Sequence, residues 1–303
     1  MRTGLSISSE FLDSELLSRL PSLELQAKFL VGGFLSGLHR NPLRGGSIEF
    51  KEYREYQIGD ELKLIDWKAY ARSDRLHVRL HEEDTDMTVY LLLDRSASMN
   101  YKSRSASMNK WDYARALAAA LVFFLHRQRD SVGMGFIGAD LEDFTKGGSK
   151  ASHIHQLMTQ LHCDADTKSS GIAESLETII GLVRRRSIVI VISDFYSDPD
   201  KIAKPISRLK HLHCETILMH VLDPRELELD FDEPVILDEL ESQARLPLSP
   251  DLIRKDYQAK LAAHIEGVTV AAGQSGGDYI LLSTAEVPLR AIGAYLHRRD
   301  LML

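Results

Sequence analysis

Two stretches of this chain are apolar without interruption. Residues 88–93 read Thr-Val-Tyr-Leu-Leu-Leu and run straight into Asp94-Arg95-Ser96-Ala97-Ser98-Met99, and residues 187–193 read Ser-Ile-Val-Ile-Val-Ile-Ser and end in Asp194. A short apolar run flanked by polar residues predicts a strand buried on both faces, the kind a parallel sheet contains. Residues 131–138 and 215–222 predict two more strands, the second stopped by Asp223-Pro224, and 279–283 predict a last one. Residues 141–145 predict a strand that pairs with 131–138 across the Gly138-Ala139-Asp140 turn. Between these runs the sequence predicts helices over 110–129, 152–161, 172–185, 199–211 and 287–298. The first of them is apolar nearly all round and basic in its last turn, which suits a buried helix ending well against its own dipole. Strands alternating with helices of this length predict βαβ crossovers, and so an α/β fold with a mostly parallel sheet flanked by helices.

Outside that alternation the pattern changes twice. Two helices, 11–20 and 23–38, open the chain and are separated by Pro21. Residues 40–85 are dense in charges and aromatics, with turns at Gly45-Gly46 and Gly59-Asp60 and a half-buried alternation at Leu76, Val78 and Leu80. Residues 225–277 predict a small hairpin (234–240 with 244–248), a helix (250–265) and a Gly-rich stretch (273–277). The expected organisation is N-terminal helices over 1–39, a core over 86–224 and a final strand and helix of that core over 278–303. Segments 40–85 and 225–277 are then two parts of a minor β-containing lobe. Arg54, Asp60, Asp66, Trp67, Arg72 and Asp74 form either an ion-pair network that holds an irregular segment in place or an interaction surface.

Composition narrows the partners. With 44 acidic against 37 basic residues in 303, the formal charge is −7, which disfavours nucleic acid as a partner. Cys163 and Cys214 are the only cysteines and predict free thiols in a reducing compartment. The longest apolar run, 116–125, is about half of the ~20 residues a membrane span needs. No span is expected, and the N-terminal residues lack the apolar core of a signal peptide, so a cytoplasmic location is expected.

The chemistry gathers where the buried runs end. Ligands of open α/β sheets bind outside the carboxyl ends of the strands. Asp94, Ser96 and Ser98 belong there, as do Asp194 and a hydroxyl from the polar loop 164–171. Both carboxylates are expected at a strand-end rim rather than in the apolar core. One or two carboxylates among neutral oxygens suit Mg²⁺, which prefers a near-octahedral oxygen shell. The alternative is that Asp94 starts a turn and the two serines cap the next helix. R-S-A-S-M-N recurs at 95–100 and 104–109, but only the first copy follows a strand. His153, His155, His162, His211, His213 and His220 include H-x-H pairs, yet no Cys or Glu stands at the spacing a structural zinc site usually shows.

D-x-S-x-S after the first core strand, a later hydroxyl loop and an Asp after the fourth strand resemble the metal-ion-dependent adhesion site of von Willebrand factor A domains. E-F-K-E-Y-R-E-Y-Q-I-G-D at 49–60, I-D-W-K-A-Y-A-R at 65–72, D-R-S-A-S-M at 94–99, I-S-D-F at 192–195 and V-L-D-P-R-E at 221–226 together are similar to the domain-of-unknown-function family 58, over residues 30–300. The resemblance implies a von Willebrand factor A-like (Rossmann-like) domain in a bacterial cytoplasmic protein. Such proteins work beside MoxR-type AAA+ ATPases in the chaperone-like assembly or maturation of client proteins. It also implies Mg²⁺, with Mn²⁺ or Ca²⁺ as substitutes, held by Asp94, Ser96, Ser98 and Ser170, with Asp194 acting through water and a partner's acidic side chain completing the shell. Where the family offers a threonine in the third loop, S-S-G-I-A-E-S-L here offers Ser170, with Thr167 and Ser169 as alternates. The implied activity is binding rather than catalysis. The alternative is a Mg²⁺-dependent phosphohydrolase using Asp94, although the chain has neither a second Asp two residues later nor a phosphate-binding P-loop.

Overall fold

The computed structural model describes residues 14–39, 53–55, 77–79, 87–165, 170–229, 235–238, 245–248, 250–274, 276–288 and 293. They fall into two compact units, residues 41–86 and the rest of the chain. Helices α1 (Ser14–Arg19) and α2 (Leu23–His39) open the larger unit. In the smaller unit, β1 (Tyr53–Glu55) and β2 (His77–Arg79) pair antiparallel with Tyr53 opposite Arg79. Of the charged and aromatic residues singled out there, Arg54 lies in β1, while Asp60, Asp66, Trp67, Arg72 and Asp74 lie outside the described residues.

The larger unit continues with β3 (Thr88–Asp94), α3 (Lys110–Arg127), β4 (Ser131–Ile137), β5 (Leu141–Gly148), α4 (Ala151–Gln160) and α5 (Ile172–Ile180). Next come β6 (Ser187–Ser193), α6 (Pro199–His211), β7 (Glu215–Leu222) and α7 (Pro224–Glu228). The hairpin β8 (Val235–Asp238) and β9 (Arg245–Leu248), the long helix α8 (Pro250–Gln274) and β10 (Asp278–Ser283) complete it. Six strands form one sheet in the order β10-β7-β6-β3-β4-β5, parallel throughout except that β5 returns antiparallel to β4. The mostly parallel sheet flanked by helices expected from the sequence is therefore present.

Strand β3 lies at the centre and is buried along its whole length. Its alternate residues enter different layers. Val89, Leu91 and Leu93 pack with Leu30 of α2, Trp111 and Leu117 of α3, and Leu157 of α4. Tyr90 and Leu92 pack with Leu176 of α5, Ile202 and Ile206 of α6, and Val268 and Ala272 of α8. Helices cover both faces, which is why the run is apolar without alternation. Each fully buried Leu or Ile contributes roughly 1.5–3 kcal/mol, so this strand anchors the domain and fixes where its C-terminal end must lie.

Helix α8 runs to Gln274, longer than the 250–265 expected, and its apolar residues join the layer made by α5 and α6. The last expected helix, 287–298, lies almost wholly outside the described residues. Among the described residues no helix is long and apolar enough to cross a membrane.

Candidate functional site

Strands β3 and β6 are parallel neighbours with Leu93 opposite Ile192, so the chain leaves both strands at the same edge. This register brings the two carboxylate-bearing loops together. Asp94 Oδ1 accepts the Ser96 N–H at 2.9 Å, closing a tight turn, and Asp94 Oδ2 accepts the hydroxyls of Ser170 at 2.7 Å and Ser193 at 2.6 Å. The Ser96 and Ser98 hydroxyls lie 3.0 Å apart. Met99, fully buried, pins the short 3-10 turn Ala97–Asn100 that presents Ser98. Asp94 and Ser96 are buried, whereas Ser98 and Ser170 are half-buried and open the cluster toward solvent.

Ser170 reaches Asp94 because Gly171 follows it. The Gly171 N–H donates to the Gly138 carbonyl at 2.6 Å, and a Cβ on Gly171 would stand 2.1 Å from the Ala139 carbonyl oxygen. Only a glycine allows that approach between the serine loop and the β4–β5 turn. Thr167 and Ser169, the alternates to Ser170, lie outside the described residues.

The second carboxylate has a partner that the sequence did not single out. Asp194 Oδ2 accepts from Lys110 Nζ at 2.8 Å, and the same ammonium donates to Glu226 Oε1 at 2.7 Å. Lys110 is 0% and Asp194 1% exposed, so this is a buried ion pair. The rings of Tyr196 and Tyr101 lie 5.0 and 6.0 Å from the ammonium. Glu226 is held in turn by a capping box, its Oε2 accepting the Asp223 N–H at 2.8 Å. The Tyr257 hydroxyl of α8 donates to the Glu226 carbonyl at 2.7 Å.

Electrostatics follow from this burial. Asp94 is pushed above the usual carboxylate range, first by burial and then by the charge of Asp194, against the pull of its three donors. Burial alone would lower the Lys110 ammonium, but Asp194 and Glu226 more than offset it and hold it charged. Burial raises Glu226, with Lys110 opposing. Behind Asp194, His220 on β7 is completely buried, and burial lowers it to about 4. Its Nδ1 meets the Tyr279 hydroxyl at 2.8 Å, and its Nε2 has no hydrogen-bond partner among the described residues.

The structure therefore places Asp94, Ser96, Ser98 and Ser170 in one hydrogen-bonded cluster, with Asp194 close enough for its charge to act on Asp94. One expectation fails. The two carboxylates are not on a rim, because the strand ends are roofed by the Ser170 loop, α3 and α7, and Asp94 is 0% exposed. Among the described residues no group of three or more His, Cys, Asp or Glu side chains is placed to hold a metal ion. A metal here would depend on hydroxyls, and an all-oxygen set of three serines and two carboxylates does suit a hard divalent cation. Sequence reasoning missed Ser193, Lys110 and Glu226 as members of the site. In the sequence Ser193 stands out only as the end of its strand and as part of I-S-D-F, and Glu226 only as the end of V-L-D-P-R-E. Lys110 carried a signal of its own, a cation in the first turn of a helix, where the dipole disfavours it.

The family model described as "Protein of unknown function DUF58" matches residues 52–267. An uncharacterized protein of Mycobacterium tuberculosis, Rv1480, is 30% identical over 281 residues, covering 90% of this chain and 86% of its own length. Among solved structures, the conserved hypothetical protein BatB from Bacteroides thetaiotaomicron is 14% identical with a TM-score of 0.46, over 70% of this chain and 98% of that one. The VWA domain of SpRpn10 is 11% identical with a TM-score of 0.39, over 65% of this chain and 88% of that one.

Proposed function

The chain belongs to the DUF58 family, and we propose that it is a metal-dependent protein-interaction module whose binding face is the strand-end cluster. One observation supports this most. Hydroxyl and carboxylate oxygens from two separate loops converge at contacts of 3.0 Å (Ser96 to Ser98) and 2.7 Å (Ser170 to Asp94). Neighbouring ligands around an ion with oxygens at about 2.1 Å stand at similar separations. Ser96, Ser98, Ser170 and Asp94 would hold Mg²⁺, or Mn²⁺ or Ca²⁺ in its place. Asp194 would take part through water, since Lys110 already holds one of its oxygens. The ion would supply a Lewis-acidic position for a carboxylate offered by a partner protein.

The residues of the chain set the terms of that contact. Three of the ligands are neutral hydroxyls, so within the shell only the carboxylates oppose the ion's charge. Ser98 and Ser170 are the half-buried members, and a partner would approach from their side. The proposed partner is a MoxR-type AAA+ ATPase, or a client protein carrying an acidic side chain, in chaperone-like assembly or maturation in the cytoplasm. A phosphohydrolase using Asp94 is the weaker alternative. Its nucleophile would be 0% exposed, with both oxygens engaged by donors. The deciding experiment is binding to the MoxR-type ATPase of the same organism, by calorimetry, in Mg²⁺ and in EDTA. Binding that requires Mg²⁺ and disappears in Asp94→Asn supports the proposal, and binding indifferent to both removes it.

A further inference from the structure

Lys110 is fully buried, stands in the first turn of a helix against the dipole, and lies between two carboxylates at 2.8 and 2.7 Å. A structural counter-ion could do this anywhere in the fold, but here one of the carboxylates is Asp194, whose charge reaches Asp94. Building on the metal-dependent reading above, we propose that Lys110 sets the selectivity of the site, weakening its own hold on a divalent cation and keeping the loaded site receptive to a partner's carboxylate.

Asp94, Asp194 and Glu226 bring three carboxylates and Lys110 one ammonium, which leaves two net negative charges. A divalent cation cancels these, and an incoming carboxylate then meets a neutral cluster. Without the ammonium the cluster would hold a cation more tightly and keep one negative charge after loading. That remaining charge would repel the acidic side chain the site is proposed to bind, and in a buried setting such repulsion is only weakly screened. Lys110 is thus a positioning and charge-setting residue. Glu226 has the opposite effect, since it draws part of the ammonium's charge away from Asp194.

The test uses Mn²⁺ alone as the probe, its free concentration read by electron paramagnetic resonance, on the full chain of wild type, Lys110→Met, Glu226→Gln and the double variant. Each is checked for folding by circular dichroism. Lys110→Met should bind Mn²⁺ about tenfold or more tightly than wild type, because a positive charge near the ion is removed. Glu226→Gln, which retains an oxygen to accept the Asp223 N–H, should bind it several-fold more weakly. The double variant restores the wild-type charge and should return close to wild-type affinity, and acetate should add to the Mn²⁺ complex of Lys110→Met more weakly than to that of wild type. A purely structural lysine would instead weaken binding in both single variants. If Lys110→Met does not fold, Glu226→Gln and the double variant still decide, because unchanged affinity in Glu226→Gln overturns the proposal. Wild type and folded Lys110→Met both failing to bind Mn²⁺ would remove the metal reading itself. Equal binding by all four would leave that reading standing and remove only the role of Lys110.

Discussion

The Ser193 hydroxyl, the last residue of β6, donates to Asp94 Oδ2 at 2.6 Å, joining the two central strands of the sheet at the point where each ends. The Ser193 Oγ in turn accepts the Phe195 N–H at 2.9 Å, and Phe195 itself takes a positive φ of 50°. One buried hydroxyl therefore orients the first carboxylate and shapes the loop that carries the second.

Ser193→Ala should for that reason damage both stability and the site. It leaves the Phe195 N–H without its acceptor and removes one of two donors to Asp94 Oδ2. Loss of a buried partner costs about 1–3 kcal/mol, and urea denaturation should show a decrease of that size. Asp94 loses a bond that favours its charged form, so Mn²⁺ affinity near neutral pH should fall as well. Unchanged denaturation and metal titration would show that this hydroxyl is dispensable.

Gly171→Ala tests the other support of the site. The added methyl carbon would stand 2.1 Å from the Ala139 carbonyl oxygen, and neither can swing aside, because the Cβ is fixed by its own Cα and the oxygen is backbone. The Ser170 loop must lift, at a cost of about 1–3 kcal/mol as in other overpacked positions, and the Ser170 to Asp94 hydrogen bond should break. A crystal structure of the variant in which that bond persists would contradict this account.

The parts of this architecture visible in the sequence were those fixed by local pattern. The runs 88–93 and 187–193 are apolar at every position because both sheet faces are covered, and that alone placed Asp94 and Asp194 at strand ends. The hairpin β4–β5 followed from its turn residues. What could not be read were properties created by tertiary approach. Lys110 is unusual as a cation in a first helical turn, but nothing local names its partner, and Glu226 comes 116 positions later. Only the fold brings them to 2.7 Å. Burial of the carboxylates was misjudged for the same reason, because their roof comes from distant segments that no periodicity in β3 or β6 reveals.

Asp94→Asn and Asp94→Ala should behave differently. Asp94 accepts three hydrogen bonds in a buried position, and alanine leaves all three donors unsatisfied. Asparagine keeps the shape and one acceptor, can donate to the serine hydroxyls, and removes a charge that burial and Asp194 both disfavour. Asp94→Asn should therefore melt within a few degrees of wild type, and Asp94→Ala should melt well below it, while both lose Mn²⁺ binding. Equal melting temperatures for the two variants would mean that these donors find water instead.

His220 makes the stability of the domain depend on pH. It is buried against Phe195, Tyr279 and His264, and the Tyr279 hydroxyl meets its Nδ1. Burial lowers its pKa from 6.5 to about 4, although the nearby Asp194 pulls the other way and Lys110 and His264 add to the lowering. Above pH 6.5 the imidazole is neutral whether the chain is folded or not, so it imposes no penalty. As the pH falls from about 6.5 toward 4, the unfolded chain takes up a proton that the folded chain refuses, and the folded state loses up to roughly 3 kcal/mol. Below about 4 both forms are protonated and the loss levels off. His220→Phe removes this group while keeping a ring in the same space. The difference between the wild-type and variant denaturation free energies should change by roughly 3 kcal/mol between pH 7 and pH 4, in favour of the variant at the acid end. A difference that stays constant over that range would mean that His220 takes up its proton alike in the folded and the unfolded chain, so that burial does not hold it neutral.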